Sequence, residues 1–186
     1  MAHSIPLTLG MSLVLLAVDV SISAEETREV KVGAITIKVP PSWQQQPPSN
    51  NLRLTQFVVP PVDGDKEPAE LSVFAFGPGG SVKAQVDRWL GQFQAAGRKY
   101  KGTTGTSPHG EYAYVELSGT YMSGPPRGKK TPMPGARMLI AMIAVKNNGN
   151  YFFKLVGQNK TIRKNGEAFR TAFSLSDEEK PLDLKQ

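Results

Sequence analysis

Residues Arg137–Gly157 read RMLIAMIAVKNNGNYFFKLVG, and this stretch decides the architecture. Arg137–Lys146 and Tyr151–Val156 are apolar runs separated by Asn147-Asn148-Gly149-Asn150, residue types that tolerate positive φ. Two such runs joined in this way form an antiparallel hairpin. Upstream, Tyr112–Thr120 reads as a strong strand, Arg98–Thr103 as a weak one, and Leu71–Phe76 as an inner strand. Alternation resumes further out, in Leu52–Val59 and in Val30/Val32 and Ile35/Ile37/Val39 on either side of Gly33. The last two are a short hairpin or one bent strand. Pro40-Pro41-Ser42-Trp43 ends it, because proline donates no ladder hydrogen bond.

Two helices separate and follow these strands. Gly77-Pro78-Gly79-Gly80 breaks the strand before it, and Ser81 can cap the N–H groups that follow. Val82, Val86, Trp89, Leu90 and Phe93 then fall on one helical stripe, with Gly97 in the stopping position. Trp89 is thereby a core residue; Trp43, between Pro41 and Gln44, is core or a partly exposed packing residue. The second helix is predicted from near Thr161 to Phe173, with Ile162, Phe169 and Phe173 inward. Gly166 costs it about 1 kcal/mol against alanine, which pushes its start later. The order of elements predicts an α+β fold, a mostly antiparallel β-sheet packed between helices, in a single domain over residues 25–176. Residues 177–186 read as a charged flexible tail.

Composition narrows the chemistry. The 186 residues include no cysteine, 18 glycines and 15 prolines, with 39% hydrophobic and 20% charged residues. That balance excludes a disordered chain, and the glycines follow no three-residue period. Without cysteine there is no disulfide framework, thiolate zinc site, iron–sulfur cluster or cysteine nucleophile. Residues 1–24 contain no Lys or Arg, and Ile5–Val18 is nearly all apolar or small. This run is short of the roughly 20 residues that span a bilayer but suits a signal peptide, cleaved after Ala24 or Ser23. The expected location is therefore exported, periplasmic or secreted. The leader holds one acid, Asp19, so the remainder carries 22 bases against 15 acids, a formal +7. Such a surplus favours anionic partners, among which export makes nucleic acid a poor candidate.

Gly77–Phe93 (GPGGSVKAQVDRWLGQF) and Arg137–Gly157 together resemble a group of exported bacterial proteins without an assigned reaction. That group is similar to the PsbP fold, an antiparallel sheet between helices shared by a photosystem accessory protein and a Ran-binding nuclear import factor. The likeness runs roughly from Val39 to Phe173. It implies a PsbP-like domain; neither the photosystem role nor the Ran-binding role carries over, since no functional residue of either matches a position here.

The candidate sites are few. His109 is the only histidine after the leader, in Ser107-Pro108-His109-Gly110-Glu111, a turn ahead of a strand. A serine–histidine–acid relay there would need Ser107 or another hydroxyl and an orienting carboxylate. Asp63, Asp65 and Glu67 cluster, but Lys66 opposes their charge and the ligand spacing of a calcium loop fails, so a solvated turn is expected. Gly79–Lys83 precedes a helix, where backbone N–H groups and Lys83 could grip an anion, although it matches neither phosphate-loop motif. Tyr121–Gly135 reads as a long loop carrying Arg127, Lys129 and Lys130, with Tyr121, Met122 and Met133 available to an apolar partner. The resulting expectation is a non-catalytic binding or accessory module without cofactor or metal. Its partner would be an envelope protein or anionic surface met through Arg127, Lys129, Lys130, Lys83 and Tyr121. The alternative is a small exported hydrolase using His109 with serine or carboxylate chemistry.

Overall fold

The computed structural model describes residues 26–77, 79, 81–125, 128–176 and 178–183, so the leader expected at 1–24 lies outside the described residues. The hairpin that anchors the sequence reading is β8 (Thr131–Val145) with β9 (Gly149–Gln158), turned at Asn147, whose φ is 62°, and Gly149, whose φ is 76°. A Cβ on Gly149 would sit 2.4 Å from the Phe76 carbonyl, so that turn needs glycine for space as well as for φ. Around it form β3 (Gln44–Gln46), β4 (Arg53–Val59), β5 (Ala69–Phe76), β6 (Lys99–Ser107), β7 (Gly110–Ser123) and β10 (Lys180–Pro181). They make one antiparallel sheet in the order β10-β6-β7-β8-β9-β5-β4-β3. β1 (Arg28–Val32) and β2 (Ile35–Val39) form a separate two-stranded hairpin.

Side-chain alternation sends each central strand into two cores. On one face Tyr112, Tyr114, Leu139, Ala141, Ile143, Tyr151, Phe153 and Leu155 pack under the β1–β2 hairpin and two short helices, α2 (Asn159–Lys164) and α3 (Gly166–Ala172). On the other, Ala113, Val115, Leu117, Met138, Ile140, Met142 and Phe152 pack under α1 (Val82–Leu90) through Val86 and Trp89. The fold is thus mostly antiparallel sheet with few helices, one of its two covers being partly a β-hairpin.

Several local expectations change. The first helix stops at Leu90, not Gly97, because Gln92–Gln94 turns away to bond β7: Gln94 N–H donates to Thr120 O (2.9 Å) and Met122 N–H to Gln92 O (2.8 Å). Val82, expected on its buried stripe, is 41% exposed. The second helix breaks at Asn165, whose side-chain oxygen accepts from the indole N–H of fully buried Trp43 (2.8 Å). Residues 178–183, read as flexible, are stitched to the sheet edge. Lys180 and Pro181 pair with Thr104 and Thr103, and Leu182 N–H donates to Gly102 O. Glu179 accepts from the Tyr112 hydroxyl (2.8 Å) and pairs with Arg170 (3.1 Å), which a charge count alone does not foresee.

Phe153 joins the aromatic stack of this core: it is fully buried, and its ring centroid lies 3.9 Å from that of Phe173 and 6.4 Å from that of Tyr151. Phe153→Ala is expected to cost about 3–5 kcal/mol, read as a lowered urea midpoint at unchanged slope.

Candidate functional site

The segment expected as a loop is largely a β-arm. β6 leaves β7 at Lys99↔Ser118, and β9 leaves β8 at Ala136↔Gln158. Beyond those points β7 and β8 pair with each other through Tyr121↔Met133, Met122↔Pro132 and Ser123↔Thr131. Pro132 and Pro134 suggest a loop in the sequence, but proline is tolerated on strands that have run out of neighbours. β7 ends at Ser123 and β8 begins at Thr131. At the arm's root the register slips between Gly119 and Tyr121, and Gly119 takes φ 146° with the Arg98 backbone 3.3 Å from where a Cβ would stand. This bulge bends the arm over the face that carries α1. There Tyr121 and Met133 pack on that core, and the Tyr121 ring lies 5.4 Å from Phe93.

Tyr121, Lys129 and Lys130 therefore belong to one hairpin, while Arg127 lies outside the described residues. Lys129 is exposed. Lys130 Nζ donates to Gly124 O at 2.9 Å and so closes the tip loop. Lys83 does not join them. It sits in the first turn of α1, paired with Asp87 at 3.0 Å, whereas the arm is buttressed by residues after the helix's last turn. An exposed pair of this kind is worth little and leaves Lys83 a solvated side chain.

Tyr121 also clasps a residue that the sequence reading passes over. Lys154 follows Phe152 and precedes Val156 on the α1 face, so its stem lies in an apolar row. Its ammonium donates to Gln92 Oε1 (3.0 Å), reaches the Tyr121 hydroxyl at 3.4 Å, and stands 5.5 Å from that ring's centroid. Burial pulls its pKa down to about 8; Glu70 opposes the shift, and Arg53 and Lys130 add to it. Glu70 sits in the next strand with Arg53 at 2.9 Å and the Ser72 hydroxyl donating at 2.9 Å. Burial would raise its pKa, but these donors and the cations hold the carboxyl below its usual range. Tyr121 is pushed upward, first by burial and then by Glu70. A lysine on the same strand face as Phe152 and Val156 was the available signal.

The remaining candidates are structural. The Ser107 hydroxyl donates to Gly110 O (3.0 Å) and accepts from His109 N–H (3.2 Å), so it is spent on the β6–β7 turn. A concavity of about 740 Å³ between the start of α1 and the ends of β6–β9 takes Ser81, Thr106, Glu111 and Asn150 into its wall but not His109. Asp65 is no solvated turn residue: it accepts from Thr161 N–H (2.6 Å) and Oγ1 (2.8 Å) and so pins α2. Among the described residues no group of three or more His, Asp or Glu could hold a metal ion.

No protein family and no curated protein matches the chain. Among solved structures, cyanobacterial PsbP (CyanoP) from Synechocystis sp. PCC 6803 superposes with a TM-score of 0.53 at 11% identity, over 86% of this chain and 96% of that one. The fold is PsbP-like. At that identity the PsbP likeness extends to the path of the chain, not to its side chains. Among the described residues no helix is long and apolar enough to cross a membrane.

Lys154 offers a test of the arm's root. Its folded pKa of about 8 lies below the ordinary 10.5, so between those values the unfolded chain binds more protons and folding gains as pH rises. Lys154→Met removes the penalty of the buried charge and is expected to stabilise the protein at pH 7 by on the order of 2 kcal/mol. That advantage should shrink between pH 8 and pH 10 in denaturant titrations of the two proteins side by side. A difference that stays constant over this range refutes the buried-charge account.

Proposed function

We propose that the chain is a non-catalytic, exported accessory module that meets an envelope protein or anionic surface through the tip of the β7–β8 arm. The observation that carries this reading is the arm itself. Long connections that stay unordered lose entropy on binding, whereas this one is paired through Ser123↔Thr131 and braced at its root by Gln92–Gln94. It carries exposed Lys129 just before β8, with Lys130 closing the loop and Arg127 near them in sequence. A formal +7 on residues 25–186 adds a long-range attraction to negative partners. Export rests on the apolar run and small-residue boundary of the first 24 residues. The PsbP-like path of the chain supports an accessory role over a catalytic one, and the engagement of Ser107 removes the hydroxyl nearest to His109 in sequence.

Cross-linking and affinity recovery of the tagged, natively exported protein tests this at two salt concentrations. The wild type should recover a dominant envelope partner that is lost as salt rises past the point where the Debye length falls below about 8 Å. Triple reversal of Arg127, Lys129 and Lys130 to glutamate should reduce recovery several-fold with the melting temperature unchanged. Equal recovery by the variant sinks the arm assignment, and a mature N-terminus still at Met1 sinks export.

A further inference from the structure

On the face opposite the arm's clasp, the sheet carries a second charged array. The register aligns Lys101 with Glu116 and Leu139 in one row, and Lys99 with Ser118 and Arg137 in the next. These rows begin where the apolar cover of α2 and α3 ends. The result is a cleft of about 440 Å³ lined by Lys101, Tyr114, Glu116, Arg137, Leu139 and, from the helices, Ile162, Arg163 and Gly166. A smaller hollow of about 210 Å³ continues it past Lys99 and shares Lys101, Glu116 and Arg137.

The cleft is built for charge it does not itself neutralise. Glu116 is fully engaged: Oε1 meets Lys101 Nζ (3.2 Å) and the Tyr114 hydroxyl (3.1 Å), and Oε2 meets Arg137 Nη1 (2.9 Å). Arg137 is held in place by a second bond, from Nε to Asn159 Oδ1 (2.9 Å), which leaves Nη2 without a partner among the described residues. Arg163 makes no ion pair or hydrogen bond among them through its side chain, and Glu167, four residues on, does not pair with it. Asp183, next after the Leu182 whose N–H bonds Gly102 O, is a further carboxylate at the β6 edge. Counting it with Glu116 against Lys99, Lys101, Arg137 and Arg163 still leaves a formal surplus of two positive charges. A surplus of two calls for a dianion. A guanidinium fixed by its own hydrogen bonds, with a second arginine lining the same cleft, suits the oxygens of a phosphate group, which accept paired N–H donors. Leu139, Ile162 and the Tyr114 ring supply an apolar wall for an organic substituent.

We propose that the cleft between β6–β8 and α2, gripped by Arg137 and Arg163, is a binding site for a soluble phosphate monoester. This goes beyond the arm's partner and does not depend on it, since the two lie on opposite faces of the sheet.

The test is an amide-shift titration of the exported protein with phenyl phosphate at low salt, with inorganic phosphate and benzoate as comparisons. Phenyl phosphate should bind with a Kd below about 1 mM, tighter than inorganic phosphate because of the apolar wall and tighter than benzoate because of the second charge. Shifts should centre on Tyr114, Arg137 and Arg163. Arg163→Ala removes an unpaired, exposed side chain, so the fold should be kept while affinity falls about tenfold. Gly166→Leu probes the same cleft with all charges intact. A Cβ there meets nothing within 4 Å, so the leucine should fill the mouth and block binding. The arm-tip charge reversal should bind phenyl phosphate like the wild type, which separates failure of this site from failure of the arm. Equal affinity of Arg163→Ala and wild type overturns the proposal, as do shifts confined to the arm. Arg163-dependent sedimentation with phosphatidic acid vesicles in the absence of phenyl phosphate binding also overturns it, in favour of a headgroup site.

Discussion

Burial of β7, β8 and β9 on both faces is the constraint from which the rest follows. In these strands successive side chains enter different cores, so Ile140 belongs with α1 while its neighbours Leu139 and Ala141 belong with α2, α3 and the β1–β2 hairpin. A slip of one residue in register would exchange the two sets throughout. The cores differ in shape: one is stacked from aromatic rings such as Phe153, Phe169 and Phe173, the other from Met138, Met142 and Trp89. Neither set fills the other's space, and this difference holds the register more firmly than hydrophobicity alone.

The covers are smaller than the sheet, and both charged arrays arise where a cover ends. α1 is only nine residues long and leaves the middle of β9 to be roofed by Gln92 and by Tyr121 from the bent arm. Lys154 occupies that gap, where its stem completes the apolar row and its ammonium is satisfied by neighbouring oxygens. On the other face α2 lies over β8 and β9, while α3 packs on β2 and reaches Tyr114 of β7 through the Phe169 ring. There Glu116 gathers Lys101, Tyr114 and Arg137 about itself. Buried or half-buried charge is costly unless bonded, and each array spends most of its polar atoms internally. Among the described residues, Nε of Arg53 in the first array has no partner, and in the second Nη2 of Arg137 and the side chains of Lys99 and Arg163 have none.

The same economy explains the arm. A hairpin longer than its neighbours would ordinarily expose two edges, but Gly119 lets it bend and Gln92–Gln94 bonds its inner edge. Prolines 132 and 134 sit on strand β8 beyond the end of β9, where they blunt a free edge against pairing with another chain. Lys129, beyond the last pair Ser123↔Thr131, is exposed and used by neither core nor ladder.

Alternation along Arg137–Val156, the cap at Ser81 and the stripe of α1 are local patterns, and local patterns suffice to choose helix or strand and to mark the inward face. For that reason the antiparallel sheet, the buried state of Trp89 and the second helical region near Ile162 and Phe169 are legible in the sequence alone. Other features depend on residues far apart in sequence. Trp43 splits a helix 122 positions away, Asp65 pins Thr161, Glu179 ties the chain's end to Tyr112, and Lys154 meets Gln92 and Tyr121. Pro132 and Pro134 signalled a loop because the sequence does not reveal where β9 ends. Composition and pattern thus determined the class of fold and the apolar faces, since those follow from each residue's own neighbours. Only the tertiary structure decided which polar groups meet, because closing loops of more than thirty residues depends on the whole packed sheet.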